Sequence, residues 1–328
     1  MLTKLFSLLL IFLPFVVWKG FYEGPKIFLF LILGFLLTTF WIYKSLVKKQ
    51  SFILDRSDIF YLLWLLVMIV SSIFGVHPLE SIIGGSYRHQ GVLFFFTLWL
   101  VYKTVQLFNK QDKIFLGKGI GLAVLGQALI FFIKPLGTIG EINAVAGFLV
   151  IGSYFVLEYL SKIYLVIPII AIFITKSRAG MLALLPILFL QKQKILMVLI
   201  VILTIVISYQ HISSPFEDRF LIWKLGVQSV IQKPTLGYGA ESGEIVFDKV
   251  FKARKINLEN LAIDRAHNLF LDVAMWSGVI GLIFFVGYLI ERYKSLEDRY
   301  KKFAFLSFLI YSMFQPLSIV HWLLVFLL

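Results

Sequence analysis

Apolar runs of membrane length recur along almost the whole chain, and this recurrence limits its fold more than any other feature. A helix needs about 20 apolar residues to cross a bilayer, and runs of about 17–25 are candidate spans. Twelve runs stand out, at 5–19, 26–43, 58–75, 91–107, 114–133, 142–158, 162–175, 178–190, 194–209, 267–290, 302–315 and 317–328. Several are short enough to be tilted, broken or half-spanning, and the last two could merge around Pro316, so ten to twelve spans are expected. In hydrocarbon every backbone polar group must be satisfied internally, and a helix does this within one segment. The expected fold is all-α, a polytopic transmembrane helix bundle forming a single domain over 1–328. Composition agrees, with 60% hydrophobic and 15% charged residues, where soluble domains carry about 45–50% and about 25%. Lys4 alone precedes the first run and Lys19-Gly20-Phe21 follows it, where a signal peptide would show a small-residue cleavage site; an uncleaved first span is expected.

The net charge of +13 is mostly an orientation signal. With the N-terminus inside, the inner segments hold 17 of the 31 basic residues, the short outer segments 6, and a long loop at 210–266 the other 8. Lys and Arg in short loops favour the cytoplasmic side, so the N-terminus is expected inside and the 210–266 loop outside. Against 7 acidic residues inside and 11 outside, the excess is +10 inside and +3 outside. So apolar a chain has no soluble basic face for nucleic acid.

The long loop has room for extramembrane structure. Ser214-Pro215-Phe216-Glu217 reads as a helix start, with Ser as cap, Pro at the first position and Glu at the third. Phe216, Phe220, Trp223, Val227 and Val230 then form an apolar stripe on a helix that ends near Lys233-Pro234. The stripe fits a helix lying on the bilayer surface or one capping the bundle. A second short helix is expected from Ser242.

Missing motifs narrow the chemistry. Cysteine is absent, which removes disulfides, zinc-cysteine sites, iron–sulfur clusters and a cysteine nucleophile. There is no Walker A sequence, no H-E-x-x-H and no D-x-D pair to hold a metal with a nucleotide-sugar. Gly237-Tyr238-Gly239 follows a helix rather than a strand, so it reads as a turn and not a dinucleotide loop.

Arginine is placed unevenly. Lys outnumbers Arg 23 to 8 among the 31 basic residues, yet Arg88, Arg178, Arg219, Arg254 and Arg265 all fall on the outer side. Orientation needs only charge, which Lys supplies. The planar guanidinium adds bidentate binding of phosphate or carboxylate, so the pattern points to an anionic ligand on the outer face. His77, His89, His211 and His267 fall outside too, and His321 in the outer half of the last span. Histidine is the usual general acid or base near neutral pH, although outer loops hold more polar residues in any case.

Four segments concentrate these residues. His77-Pro78-Leu79-Glu80-Ser81 runs into Gly84-Gly85-Ser86-Tyr87-Arg88-His89-Gln90-Gly91, which puts Arg88 at the membrane surface as a ligand contact or an interfacial anchor. Thr175-Lys176-Ser177-Arg178-Ala179-Gly180 is a tight hairpin with Arg178 at the next helix's N-terminus, an anion site or a snorkelling charge. Arg219 and Trp223 lie one turn apart, suited to phosphate with a packed sugar or prenyl chain, or to stacking on each other. In Asp264-Arg265-Ala266-His267-Asn268-Leu269-Phe270-Leu271-Asp272, the Asp264 carboxylate is expected to orient the His267 imidazole one turn away. Asp272 lies a turn deeper, where a charge needs a purpose.

The ordered set S-R-A-G, then R-x-x-x-W with a following P-x-x-G-x-G, then H-N-x-x-L with Gly278 and Gly281, resembles the O-antigen ligase family of membrane glycosyltransferases. Gly137-Thr138-Ile139-Gly140-Glu141-Ile142-Asn143-Ala144-Val145-Ala146-Gly147 is similar to another family segment, with Glu141 standing where Asn is usual. The resemblance runs from about 71 to 290 and implies a glycosyltransferase C-like fold in the bacterial cytoplasmic (inner) membrane. It implies transfer of a glycan from a polyprenyl diphosphate carrier to an acceptor hydroxyl on a glycan, lipid or protein. Transfer would be inverting, on the outer face, with no cofactor and no metal.

By the family motifs, Arg178 and Arg219 would hold the donor diphosphate and His267 would act as catalytic base. Arg265 and Arg88 are added here as further diphosphate or glycan contacts, with Asp264, Asn268, Asp272 and Trp223 in support. The same features fit a polymerase of lipid-linked repeat units. A transporter or flippase of an anionic lipid or solute is the alternative from another class. It calls for polar residues at mid-membrane depth, which 5–19, 91–107 and 194–209 almost lack.

Overall fold

The computed structural model describes residues 2–47, 49, 53–85, 87–210, 219–253 and 263–328. Its helices are α1 Leu2–Phe12, α2 Glu23–Leu46, α3 Arg56–Ile73, α4 Pro78–Ile83, α5 Val92–Gln106, α6 Lys110–Ile133, α7 Ile142–Tyr159, α8 Val166–Thr175, α9 Arg178–Leu190, α10 Lys194–Gln210, α11 Arg219–Gln232, α12 Gly243–Ala253, α13 Leu269–Ser295, α14 Arg299–Ser312 and α15 Ile319–Leu327. Among the described residues there is no strand beyond one bridge, Trp18 with Phe21. The protein is an all-α, polytopic membrane fold.

Each apolar run of the sequence carries a helix. Five helices, α2, α3, α6, α7 and α13, are long and apolar enough to cross a membrane, and shorter apolar helices occupy Thr3–Phe15, Val92–Gln106, Lys162–Thr175, Arg178–Leu190 and Lys194–Ser208. The last two runs stay separate: α14 ends at Ser312 and α15 starts at Ile319, with Pro316 between them, where a missing N–H cannot continue a helix. Large apolar side chains left exposed on these helices, such as Phe28 and Phe35 on α2 or Ile195, Val198 and Ile202 on α10, are what a lipid-facing surface requires. Polar residues set several helix starts. Asp55 caps α3 in a reciprocal capping box with Asp58, Asn109 caps α6, and Asp298 caps α14.

In the long loop, α11 ends at Gln232 just before Lys233-Pro234, and α12 begins at Gly243, directly after Ser242. The helix start at Ser214 and the histidine at His211 lie outside the described residues.

The chain folds as two compact units of discontinuous segments. One comprises Met1–Leu29, Val101–Pro215 and Leu296–Leu328; the other comprises Phe30–Leu100 and Phe216–Ser295. In the first unit, the 137–147 segment is a joint between α6 and α7. The Thr138 hydroxyl donates to the Pro14 carbonyl (2.7 Å), and Lys26 Nζ donates to the carbonyls of Thr138 (2.8 Å) and Tyr22 (2.6 Å). His321 is fully buried there. Its Nδ1 accepts the Ser318 N–H (2.9 Å) and its Nε2 bonds the Ala144 carbonyl (2.8 Å), so both ring nitrogens serve the backbone.

In the second unit α13 packs along α3 through aromatic rings, with Tyr61 against Tyr288 at 4.9 Å and Trp64 against Phe285 at 4.8 Å. One residue inside α13 leaves the helix: Gly278 has φ 66° and ψ −172°, a region open in practice only to glycine. The break frees backbone groups, and the connection between α11 and α12 takes them up. The carbonyls of Met275 and Trp276 accept the N–H groups of Tyr238 (2.8 Å) and Gly239 (3.0 Å), while the Val279 N–H donates to the Pro234 carbonyl (2.7 Å). Ser71 of α3 closes the joint, donating to the Trp276 carbonyl (2.5 Å) and accepting from the Gly239 N–H (3.0 Å). Irregular backbone in a membrane protein persists where protein satisfies it, and here the P-x-x-G-x-G turn does so.

Gly278 also lacks space for a side chain, since a Cβ would lie 2.1 Å from the Thr235 carbonyl oxygen. Gly278→Ala should therefore lose on the order of 3 kcal/mol of stability. A lower thermal unfolding midpoint of the detergent-purified protein is the expected reading; an unchanged midpoint would mean that the joint yields easily.

Candidate active site

Three connections of the second unit converge just before α13: the 84–91 loop, the turn after Gly239, and residues 263–268. The first is folded tightly on itself. Gly84 has φ 117°, and a Cβ on it would strike the His89 backbone at 2.6 Å. Gly85 then donates its N–H to Glu241 Oε2 (2.9 Å).

The residues before His267 are held one after another. Asp264 forms an ion pair with Arg88 through Nε, with a second contact from Nη2 at 3.4 Å. Burial pushes the Asp264 carboxyl up, but the charge and hydrogen bond of Arg88, together with Arg265 and His267, hold it below its ordinary value. Arg265 is buried, ion-paired to Glu241, and lies 4.2 Å over the Trp276 ring. Its Nη1 finds no hydrogen-bond partner among the described residues, and the π face of Trp276 is the compensation offered. The Ala266 N–H donates to Asp272 Oδ1 (2.7 Å). That bond is the purpose of a carboxylate one turn inside α13, since a buried acceptor must be satisfied.

His267 follows in a left-handed conformation, φ 53°, uncommon for a residue with a side chain. Asn268 then caps α13, its Oδ1 accepting the N–H groups of Phe270 (3.1 Å) and Leu271 (3.2 Å). The imidazole therefore hangs from a fixed corner between a tethered tripeptide and a capped helix. The expectation that Asp264 and His267 share a helical turn is corrected by this corner: α13 begins only at Leu269, and the Asp264 carboxylate is paired with Arg88. Asp264 still faces the imidazole electrostatically, through space rather than along one helix face.

Arg219 and Trp223 reach this region on α11. Gly226 of α11 lies against Ala266, Leu271 and Met275, and a Cβ there would be in ordinary contact with each, at 3.7–3.8 Å. Residues 219, 223 and 226 follow i, i+4, i+7 spacing and so share one helix face. α11 thus presents Arg219 and Trp223 along the face that meets the His267 segment. Both are half-buried, and Trp223 packs edge-on against Phe220 at 5.7 Å. Arg178 belongs to the other unit, where it is the first residue of α9. Ser177 caps that helix by accepting the Gly180 N–H (3.3 Å), and the half-buried Arg178 stands at the N-terminus as expected.

The structure thus brings Arg88, Asp264, Arg265, His267, Asn268 and Asp272 together in one unit, with Arg219 and Trp223 on a helix packed against them. Sequence reasoning missed Glu241 and Trp276. Glu241 had one visible signal: it follows the G-x-G turn by two residues in a chain with only 18 acidic residues. It also adopts a left-handed backbone, φ 60°. His89 lies near it, with burial pushing its imidazole below the usual value against the opposing pull of Glu241.

Residues 163–286 match the family described as O-Antigen ligase, so the resemblance read from the motifs holds over that stretch. It takes in α9, α11, α12 and most of α13. A 94-residue stretch is 33% identical to the ComP-specific O-oligosaccharyltransferase of Acinetobacter baylyi, covering 27% of this chain and 17% of that protein. The chain thus matches less than a fifth of that relative's length.

Proposed function

We propose that this chain is an O-antigen ligase-like membrane glycosyltransferase. It moves a glycan from a polyprenyl diphosphate carrier to an acceptor hydroxyl at the outer face of the bacterial cytoplasmic membrane. The observation that carries the reading is the packing of the arginine-bearing helix α11, by Gly226, onto the segment that fixes His267. This happens inside the stretch that matches the family. An anion holder and a potential base are thus built into one frame.

The chemistry follows from the groups present. The acceptor oxygen attacks the anomeric carbon, the bond from that carbon to the diphosphate oxygen breaks, and the lipid diphosphate leaves with the electron pair. His267 takes the acceptor proton. Arg178 at a helix N-terminus and Arg219 on α11 stabilise the charge that grows on the leaving group, the task of preorganised cations and N–H groups. Attack opposite the leaving group inverts the anomeric centre. Arg88 and Arg265 are engaged by Asp264 and Glu241, and they support the His267 corner from behind.

The acceptor hydroxyl belongs to a glycan, lipid or protein. The relative's name, an O-oligosaccharyltransferase, favours transfer of a whole oligosaccharide over stepwise polymerisation on the carrier.

Reconstitution in liposomes with a polyprenyl diphosphate oligosaccharide and candidate acceptors tests the reading. Release of lipid diphosphate should accompany one inverted glycosidic bond to the acceptor, and EDTA should leave the rate unchanged. Vectorial movement of the donor without bond cleavage would replace the enzyme by a flippase. Donor chains lengthening on the carrier would identify a polymerase.

A further inference from the structure

Glu241 joins the three connections around His267 and is their common point. One carboxylate oxygen holds the Gly85 N–H, at 2.9 Å, and the other holds Arg265, two residues before His267. The side chains of the pair are nearly out of solvent, 7% exposed for Glu241 and 3% for Arg265. Gln90 Oε1 also approaches Arg265, at 3.5 Å. A single residue with a left-handed backbone thus fixes the 84–91 loop to the histidine segment.

We propose that Glu241 is a positioning residue for transfer: through Arg265 it sets the place of the His267 imidazole, and it does not touch the substrate itself. The inference rests on the glycosyltransferase reading and on His267 as the base within it. Three features support it. Both carboxylate oxygens are engaged by donors of the protein, and the side chain is nearly out of solvent. The partner Arg265 lies over the Trp276 ring and cannot slide without losing that contact. The tripeptide 264–266 is tied at each residue, so a shift at Arg265 is passed directly to His267.

A carboxylate is also the side chain that can serve both tethers. Each tether is a donor, and Gln offers one acceptor oxygen where two are needed. Breaking one partner of a buried pair also leaves the other charge uncompensated.

The test measures kcat and the donor KM of Glu241→Gln in the reconstituted transfer assay, with thermal midpoints in detergent. A displaced base of about 1 Å lowers kcat by about a hundredfold, and the donor KM should stay at its wild-type value. Arg265→Lys keeps the charge but loses the flat fork, so it should show the same kcat-only loss. It stands in if Glu241→Gln fails to fold. The double variant should be no slower than the slower single one, because both act through one tether. Wild-type kcat in a folded variant, a rise in KM alone, or multiplying losses in the double variant would overturn the inference. An inactive wild-type protein would instead remove the glycosyltransferase reading, and a fully active His267→Ala would remove His267 as its base.

Discussion

Replacing His267 by Ala should abolish glycan transfer while donor binding persists. A positioned general base contributes about 10²–10⁴-fold to rate, so kcat should fall by about that factor. Arg178 and Arg219, the residues proposed to hold the donor, are untouched by this substitution, so donor affinity should stay at the wild-type value. The fold should also survive. The neighbours Asp264, Arg265, Ala266 and Asn268 each keep their own tether when the imidazole is removed. The left-handed backbone at His267 costs Ala more than His by about 1 kcal/mol at most. The wild-type rate should also decline on acidification, because a protonated imidazole cannot accept the acceptor proton. Transfer by the Ala variant at the wild-type rate would exclude His267 from the chemistry.

The second large effect is expected at the two arginines assigned to the diphosphate. Arg178→Lys and Arg219→Lys keep the charge but replace a bidentate fork by a point charge. Loss of one preorganised donor at a developing oxyanion costs about 10²–10³-fold in kcat, and each Lys variant should fall near the lower end. The two sites differ in what remains. At α9 the helix N-terminus, capped by Ser177, still offers backbone N–H groups to an anion. Arg219 is the first residue of α11 among the described ones, and its segment must bring Trp223 alongside. A variant with unchanged kcat/KM would assign that arginine to anchoring at the membrane surface.

Much of this was legible before any coordinate. The apolar runs give the helices because hydrocarbon leaves a chain few alternatives, and α6, α7 and α9 end within a residue or two of the expected limits. Whether the last two runs merge around Pro316 was open in the sequence, and they stay separate; Gly237-Tyr238-Gly239 was rightly a turn. The turn's destination was hidden. Nothing in the apolar pattern of 267–290 shows a break, since Gly278 is flanked by residues that continue the helix on both sides. Pairing was hidden too. Asp264 had a local candidate in His267, but its partner Arg88 comes from a loop 176 positions away. A carboxylate goes to the strongest donor that the fold delivers, and spacing along one segment does not reveal it. Glu241 was passed over for the same reason: its two partners lie 156 and 24 positions away.

The broken helix α13 has a mechanical consequence. Because the turn after α11 supplies the hydrogen bonds that α13 lacks at Gly278, the first turns of α13 are spliced to α11 rather than to their own continuation. Arg219 rides at one end of that splice and His267 at the other. Both proposed site residues are thus carried by elements that share one joint at Gly278.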